Sequence, residues 1–320
     1  MWTPADWAWI GGLLNCLVSS WYYGIPNLAY RAKKYDPEEA LRLMAKFNVR
    51  NTFMPPTALK MMREVKNIER FNINLRTVGV GGEPMGSELL DWGKSALKVT
   101  FNEFYGQTEC NLVLANNHEC MSIKAGSMGR PVPGHQVSIV DNTGNILPPE
   151  SVGEIAVKLP DPVTLLKYWN NEKASNANVI KGWWKMGDQG FMDNDGYFWF
   201  VGRDDDIIIS SGYRIGPSEI ENTLSRHPAV SLAAAIGVPD PVRTEIIKVF
   251  IKLAPGQVGG PELKSEIQNF VKKRLSPHQY PRLLEFVNAL PLTSTGKIKR
   301  RELRDHETQK YADNTKSGLI

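Results

Sequence analysis

The sequence YGQTE, residues 105–109, places an aromatic ring, a glycine, a hydroxyl and a carboxylate within five positions. It overlaps the end of the segment VTFNEFYG, whose β-branched and aromatic content predicts a strand. Ligands of open α/β sheets bind beyond the carboxyl ends of the strands. Tyr105 could stack on a flat base, Thr108 could bond a phosphate, and Glu109 could hold a magnesium ion. The alternative is a helix start at which Thr108 only caps the first turn.

Two glycine-bearing loops provide further candidate groups. In VGVGGEPM, Gly81 and Gly82 permit close approach of the backbone to a ligand. Glu83 and Pro84 begin the next predicted helix, whose N-terminus would suit an anion, although a tight strand-to-helix turn explains the same residues. In KMGDQG, Asp188 could accept hydrogen bonds from two ribose hydroxyls.

A longer segment, VGRDDDIIISSGYRIGPSEIE, combines charge with a turn. Arg203 precedes three acidic residues, and Tyr213 and Arg214 follow a Ser-Gly turn. Three consecutive acids suggest a metal site. For Asp204 and Asp206, however, a solvated strand start is the preferred interpretation.

Near the C-terminal end, PLTSTGKIKRREL places Lys297 behind Ser294, Thr295 and Gly296, which are too small and polar to pack. One interpretation is a surface loop before a basic helix. The other is a lysine, a compact point charge, that is held on a mobile tether for a chemical purpose.

The elements that must position these groups alternate between strand and helix in the first part of the chain. The helix in YDPEEALRLMAKFNV has Asp36 as a cap and Pro37 in its first turn. Strands are predicted in VRNTFM, LRTVGVGG and VTFNEFYG, with helices between them. This alternation predicts parallel strands joined by crossover helices.

The pattern changes twice further along the chain. After residue 130 or so, short strands are joined by Asn/Asp-Gly turns, which indicates an antiparallel β region. A small α+β unit follows, with a boundary near Asp204 and Asp205. The predicted division is therefore 1–130, 131–203 and 204–320, and the predicted fold class is α/β.

Composition excludes several classes of protein. The 320 residues are 42% hydrophobic and 22% charged, with a net charge of +4 and no long basic run, so nucleic acid is not an expected partner. The three scattered cysteines indicate a reducing compartment and no disulfide framework.

One uncharged segment, residues 7–30, is long enough to span a bilayer. The Gly11-Gly12 pair, Asn15 and Pro26 dilute its apolar content, and it lacks the basic n-region of a signal peptide. A buried helix is therefore the preferred interpretation of this segment.

In their order along the chain, GGEP, YGQTE, GD, GRDDDIIISSGYRIGPSEIE and PLTSTGKIKRREL resemble the adenylate-forming superfamily. This superfamily contains acyl-CoA synthetases, firefly luciferases and peptide-synthetase adenylation domains. The resemblance extends from the first residues to about Leu303 and is greatest to the acyl-CoA synthetases of short- and medium-chain acids. It implies part of a large α/β domain with a β-rich subdomain, followed by a small, mobile α+β C-terminal lid domain.

The resemblance implies an acid-thiol ligase. Such an enzyme activates a carboxylic acid with ATP and Mg²⁺ to an acyl-adenylate. It then transfers the acyl group to coenzyme A, which gives acyl-CoA, AMP and pyrophosphate without a prosthetic group. The implied partners are the acid, ATP and CoA, and the implied location is the cytoplasm or, with an upstream transit peptide, the mitochondrial matrix.

The resemblance also assigns roles to residues. Lys297, Thr108 and Glu109 would be catalytic, Glu109 as the Mg²⁺ ligand, and Asp205 would be the hinge of the small domain. Residues facing CoA would be Ser211, Gly212, Tyr213 and Arg214. Residues binding ATP or AMP would be Gly82, Glu83, Pro84, Glu103, Phe104, Tyr105, Gly106, Gln107, Thr108, Asp188 and Arg203.

Two of these positions carry further expectations. Lys297 would close over the carboxylate and the α-phosphate, and it resembles the lysine at which such enzymes are acetylated, a modification that removes the charge. Gly106 stands where acetate-restricted enzymes have a tryptophan, so the acyl pocket should accept a medium-chain or bulkier acid.

The family pattern also includes an upstream Ser/Thr/Gly-rich phosphate loop that ends in a lysine, and no such stretch occurs in this sequence. We therefore expect a chain that lacks the N-terminal subdomain and that pairs with a missing N-terminal half. The alternative function is a non-catalytic fragment that at most binds nucleotide or CoA. Luciferase chemistry and carrier-protein loading fit the motifs less well.

Overall fold

The computed structural model describes residues 1–293 and 298–316, with side chains up to residue 311. The chain forms two compact units. Unit 1 comprises Met1–Met186 and Gly190–Phe200, and unit 2 comprises Gly187–Gln189 and the chain from Val201 onward. The predicted fold class is confirmed, since a mixed α/β part with several sheets is followed by a smaller α+β part.

Unit 1 begins with three consecutive helical stretches, namely α1 (Ile10–Gly12), a π-helical stretch (Leu13–Val18) and α2 (Ser19–Tyr22). The expectation of a buried helix is correct for one face only. Cys16 and Leu17 are buried, but Tyr22 is 83% exposed. Because this segment contains no charged residue, no polar face in the sequence indicated how the helix is oriented. Among the described residues, no helix is long and apolar enough to cross a membrane.

The first sheet is built from the predicted strand–helix alternation. The carboxylate of Asp36 accepts from the backbone N–H of Glu39 at 3.0 Å, as a helix cap does. The elements of this part of unit 1 are α3 (Pro37–Lys46), β1 (Asn51–Met54), α4 (Pro56–Arg63), β2 (Thr77–Gly81), α5 (Ser87–Trp92), β3 (Phe101–Gln107), β4 (Asn111–Ala115) and β5 (Arg130–Pro131). A 3-10 stretch (Ile68–Phe71) precedes β2, and a π-helical stretch (Gly93–Leu97) continues α5.

The strand order in this sheet is β1-β2-β3-β4-β5. β1, β2 and β3 are parallel, as predicted, whereas β4 and β5 turn antiparallel. Buried Val78, Val80 and Phe101 belong to the same apolar core as Leu41 and Leu89. The parallel part of the sheet is thus held by the helices that connect its strands.

The antiparallel region predicted after residue 130 forms a second sheet of order β10-β9-β7-β6, with β8 paired to β9. Its longest helix has six residues. The elements are β6 (Val137–Val140), β7 (Gly153–Lys158), α6 (Glu172–Ala177), β8 (Val179–Ile180), β9 (Trp183–Met192) and β10 (Phe198–Arg203).

Unit 2 contains a third sheet of order β12-β11-β14-β13, with β15 paired to β14. Ile220 and Leu224 of one helix and Ile267 and Val271 of another share a core with this sheet. The elements are a 3-10 stretch (Asp204–Asp206), β11 (Ile208–Ser210), β12 (Tyr213–Ile215), α7 (Pro217–Leu224), β13 (Val230–Asp240), β14 (Thr244–Leu253), α8 (Pro261–Lys272), a 3-10 stretch (Pro277–Gln279), β15 (Leu283–Phe286) and α9 (Arg300–Lys316).

Candidate functional site

Two of the predicted loops leave the first sheet at the same edge. Gly81, the last residue of β2, lies opposite Phe104 of the parallel strand β3. The GGEP loop and the YGQTE segment therefore both overlap the carboxyl ends of neighbouring strands, where open α/β sheets bind ligands. β1 ends at Met54 on the same edge.

Thr57, which lies shortly after β1, contacts the GGEP loop. The sequence did not single out this residue. Its hydroxyl donates to the Glu83 carboxylate, at 2.8 Å to Oε2 and 3.1 Å to Oε1. Thr57 lies in the first turn of α4, just after β1. Its place behind a strand end was the only signal in the sequence that could have identified it.

Glu103 is a buried carboxyl group beneath the GGEP loop. It is 5% exposed, and its Oε1 accepts from the backbone N–H of Met85 at 3.1 Å. Burial raises the pKa of Glu103 to about 7, and the bond from Met85 opposes this increase. Glu103 therefore links β3 to the loop after β2 instead of projecting into solvent.

The two aromatic residues of this segment have different surroundings. Phe104 stacks on Phe53, with ring centroids 5.3 Å apart, and lies over Gly81. Tyr105 is half-buried, and its ring is tilted against Phe200 at 6.4 Å. Beyond them, Gln107 donates from Nε2 to the backbone carbonyl of Met186 at 2.6 Å.

Gly106 is required by the backbone of the β3–β4 hairpin. A Cβ at this position would lie 1.7 Å from the carbonyl oxygen of Asn111, and the strand pairing is irregular between Tyr105 and Gly106. The presence of glycine at position 106 is thus explained without any acyl pocket, since a side chain would collide with the neighbouring strand.

Thr108 and Glu109 lie in the turn between β3 and β4, so the alternative of a helix cap at Thr108 is wrong. Thr108 is exposed. The Glu109 carboxylate accepts from the Tyr168 hydroxyl at 3.0 Å, through Oε1. Tyr168 is a second residue that the sequence did not indicate, since it lies 59 positions further along the chain.

This turn could bind a magnesium ion only if a substrate supplies part of the coordination. Among the described residues, no three His, Cys, Asp or Glu side chains are grouped so that they could hold a metal ion. Mg²⁺ commonly binds one or two carboxylates and takes its other ligands from phosphates and water. The Glu109 carboxylate could therefore serve as such a ligand when a phosphate-bearing substrate supplies the rest.

In unit 2, Asp188 and Arg203 lie within one charged group. Asp188 is 5% exposed, and Arg203 donates from Nε to Asp205 at 3.1 Å. Burial lowers the pKa of Arg203, but the carboxylates of Asp188, Asp205 and Asp206 together raise it above its usual value. The guanidinium therefore remains charged beside the predicted hinge residue.

The acidic triplet does not behave as a uniform solvated segment. Asp204 is exposed and pairs with Arg214 at 3.0 Å, as expected for a surface residue. The expectation for Asp206 is wrong, since its side chain is only 10% exposed. It pairs with Arg304 and, at 3.5 Å, with Arg300 of α9.

The turn between β11 and β12 presents the residues predicted to face CoA. Ser211 and Gly212 both have positive φ, at 51° and 83°, as the two-residue loop of a type I′ hairpin requires. Tyr213 follows, and its ring stacks on that of His278 with centroids 4.3 Å apart and planes within 5°. The hairpin thus presents an extended aromatic face.

This aromatic pair borders a surface cavity of about 320 Å³. The cavity also contains two guanidinium groups, and that of Arg243 donates from Nη1 to the Ser211 hydroxyl at 3.4 Å. Guanidinium groups suit phosphates, and flat rings suit a nucleobase. No pattern in the sequence indicated the lining residues outside the hairpin. The lining residues are Ser210, Ser211, Tyr213, Arg243, Ile247, Pro277, His278, Tyr280 and Arg282.

Lys297 lies outside the described residues. The described residues on either side of it are fixed. Leu292 and Ile298 form an antiparallel bridge, and the backbone N–H of Lys299 donates to the carbonyl of Pro291 at 2.9 Å. The chain therefore enters and leaves the predicted lysine loop at neighbouring positions.

Comparison with protein-family models gives two matches. A model described as AMP-binding enzyme matches residues 1–169, and one described as AMP-binding enzyme C-terminal domain matches residues 219–297. The first match covers more than half of the chain. The second ends at Lys297.

Curated relatives match nearly the whole chain. Acyl-coenzyme A synthetase ACSM4, mitochondrial, of Homo sapiens is 41% identical over 313 residues, which is 96% of this chain and 54% of the relative. Acetyl-coenzyme A synthetase of Bacillus subtilis (strain 168) is 40% identical over 310 residues, with the same coverage. The chain thus spans about half the length of these relatives.

Solved structures agree with this similarity. The anthranilate CoA ligase AuaEII in complex with anthranoyl-AMP matches with a TM-score of 0.90 and 30% identity, over 97% of this chain and 60% of that one. A benzoate CoA ligase from Burkholderia xenovorans LB400 matches with a TM-score of 0.86 and 28% identity, over 95% of this chain and 60% of that one.

Proposed function

The chain belongs to the AMP-binding enzyme family, and from this premise we propose that it carries out acid-thiol ligation: a carboxylic acid is joined to AMP and then passed to coenzyme A. The observation that carries the proposal is the shared edge of β2 and β3. There the GGEP loop and the YGQTE segment lie at the carboxyl ends of adjacent parallel strands. A nucleotide that contacts both loops would lie against backbone and side-chain groups of one rigid sheet.

In the adenylation step, the proposed site residues would bind and orient ATP. Tyr105 would stack on the base, Thr108 would donate to the α-phosphate, and Asp188 would accept from the ribose hydroxyls. The Glu109 carboxylate would hold Mg²⁺, which when bound neutralises charge on the phosphates. Lys297 would stabilise the negative charge that develops on phosphorus as the acid attacks.

In the second step, the cavity beside Tyr213 would receive the nucleotide end of coenzyme A. The proposal is supported by the stack of Tyr213 and His278 and by the guanidinium groups of Arg243 and Arg282 at the same cavity. Base stacking and phosphate pairing are the two interactions that a phosphorylated adenosine offers.

We propose an acid bulkier than acetate as the substrate. Support comes from Gly106, which occupies a position where a tryptophan would restrict the pocket to acetate. The named relatives include both acyl- and acetyl-coenzyme A synthetases at nearly equal identity, so a direct comparison of acids is needed.

Pyrophosphate release by the purified chain with ATP, magnesium and hexanoate tests the first step. Whatever release the wild type shows should fall about 100-fold or more in Lys297→Ala, the scale seen when one charge-stabilising group is removed. Lys299→Ala is the matched control, because Lys299 is half-exposed and pairs with Glu302. Parallel reactions with acetate and benzoate establish which acid is preferred.

Two outcomes would contradict the proposal. Equal release from the wild type and Lys297→Ala would exclude the predicted role of this lysine. No release from folded wild type would favour the alternative of a non-catalytic fragment, and binding of ATP or CoA without turnover would then define its activity.

A further inference from the structure

A strap formed by residues 161–168 crosses the turn that contains Glu109. Its first residue, Asp161, has a side chain that is only 2% exposed and accepts from His135 Nδ1 at 2.7 Å. The same carboxylate accepts from the backbone N–H groups of Val163 at 3.0 Å and Thr164 at 3.1 Å. The beginning of the strap is therefore fixed to unit 1 by a buried carboxylate.

The far end of the strap is fixed by different contacts. The backbone N–H of Tyr168 donates to the hydroxyl of Ser175 in α6 at 2.8 Å, and the Tyr168 ring lies against that of Trp184 at 6.3 Å. Backbone and ring of Tyr168 are thus placed without any contribution from Glu109.

Between these fixed ends, the strap makes two hydrogen bonds to Glu109. The backbone N–H of Leu165 donates to the Glu109 carbonyl at 2.7 Å, and the Tyr168 hydroxyl donates to Glu109 Oε1 at 3.0 Å. The first bond positions the backbone of the turn, and the second selects one orientation of the carboxylate.

The Tyr168 hydroxyl is the donor of this bond, because an ionised carboxylate has no proton to donate.

We propose that Tyr168 is a positioning residue for metal binding: it engages Oε1 of Glu109 and so presents Oε2 to a divalent cation that is held together with ATP. The inference rests on the proposed function, in which Glu109 is the metal ligand. A carboxylate with one oxygen engaged binds a cation through a single oxygen, which suits the octahedral geometry of Mg²⁺. Ca²⁺, in contrast, accepts two-oxygen coordination.

The test is the affinity of the full chain for Mn²⁺ in the presence of ATP, measured by the electron paramagnetic resonance of free Mn²⁺. We expect Tyr168→Phe to weaken Mn²⁺ binding about tenfold, the lower end of the effect usual for a partner of a metal ligand. ATP affinity without metal should be unchanged. Tyr35→Phe is the matched control, because its hydroxyl donates to the backbone carbonyl of Ala58.

A second comparison separates positioning from a general structural role. If Tyr168 acts through Glu109, Tyr168→Phe should have no further effect on Mn²⁺ affinity in the Glu109→Gln background. Competition by Ca²⁺ against Mn²⁺ should increase in Tyr168→Phe alone, because the released carboxylate can then offer both oxygens.

The results that would contradict the role of Tyr168 differ from those that would contradict the proposed function. Wild-type Mn²⁺ affinity in Tyr168→Phe, or an equal loss of ATP affinity with and without metal, would overturn the inference and leave the proposed function intact. A persistent effect in the Glu109→Gln background would do the same. A wild-type chain that forms no Mn²⁺–ATP complex would overturn the proposed function itself, and the metal role of Tyr168 with it.

Discussion

The carboxylate of Glu103 accepts a hydrogen bond from the backbone N–H of Met85 across 3.1 Å, inside the core of the first sheet. This bond joins β3 to the loop that follows β2. Because the carboxyl group is buried, its pKa is raised from 4.5 to about 7. The ionised form is therefore disfavoured by folding, and this has a measurable consequence.

We expect the titration of Glu103 to lower the free energy of unfolding as the pH rises from about 4.5 to 7. In that window the folded state holds a proton at Glu103 that the unfolded state has lost, so raising the pH favours unfolding. The contribution is fully present below pH 4.5 and lost above 7, and its size is about 3 kcal/mol.

Glu103→Gln should remove this pH dependence and increase stability at pH 8, because glutamine accepts from Met85 without a charge. Denaturant unfolding of wild type and variant at pH 5 and pH 8 measures both effects. The exposed Asp91→Asn serves as a control that changes charge equally. A variant with the same pH slope as the wild type would exclude Glu103 as its source.

A second prediction concerns Thr57 and Glu83. Thr57→Val keeps the shape of the side chain but removes the donor to both oxygens of the Glu83 carboxylate. We expect the free energy of unfolding to fall by about 2 kcal/mol, since a hydrogen bond to a charged group contributes about 1.5–3 kcal/mol. AMP affinity, measured by calorimetry, should also fall if Glu83 lines the adenine pocket.

Thr57→Ser separates these causes, since it retains the hydroxyl and loses only a methyl group. It should keep most of the AMP affinity. A loss of affinity in Thr57→Ser equal to that in Thr57→Val would attribute the effect to packing instead of the bond to Glu83.

A third prediction concerns Gly106. Gly106→Ala should destabilise unit 1 by about 2 kcal/mol, because the new Cβ would overlap the carbonyl of Asn111 and the hairpin would have to shift. Gly260→Ala is the control, since a Cβ there meets no atom within 4 Å. Thermal unfolding measures both variants, and an undisturbed Gly106→Ala would show that the hairpin has room for a side chain.

Much of the fold could be predicted because its signals are local. The cap at Asp36 and the strand–helix alternation up to β3 each depend on neighbouring residues. The strands of the antiparallel region and of unit 2 likewise fall within the segments that turn residues delimit. Local patterns of this kind are independent of how distant parts of the chain meet.

The partners of the site residues could not be predicted for the opposite reason. Tyr168 reaches Glu109 from 59 positions away, and Thr57 reaches Glu83 from 26. Neither pair has a spacing that one helix or one strand would impose. Only the assembled sheets bring these side chains together.

Asp206 shows that the partners of charged residues are equally hard to predict from the sequence. Within an acidic triplet it resembles any solvated carboxylate, but arginines from α9, the last helix of the chain, bury it. Arg304 lies 98 positions away. A charge pattern in sequence therefore cannot show which of three adjacent acids is paired.

The last prediction concerns the network that holds α9. Arg300 donates from Nη2 to Glu221 at 2.6 Å and lies 3.5 Å from Asp206, with a side chain that is 20% exposed. We expect Arg300→Met to lower the free energy of unfolding of unit 2 by about 2 kcal/mol, because the largely buried Glu221 carboxylate loses this partner and Asp206 keeps Arg304. Arg301→Met, one residue further, should change it by less than about 0.5 kcal/mol, since its pair with Asp305 is highly exposed.

A double-mutant cycle of Arg300→Met with Glu221→Gln tests whether the network itself carries this effect. We expect a coupling energy of about 1–2 kcal/mol from denaturant unfolding. Because α9 begins three residues after Lys297, the same variant should also reduce any pyrophosphate release that depends on this lysine. Additive effects in the cycle would mean that Arg300 stabilises unit 2 through another contact, such as that with Asp206, and not through Glu221.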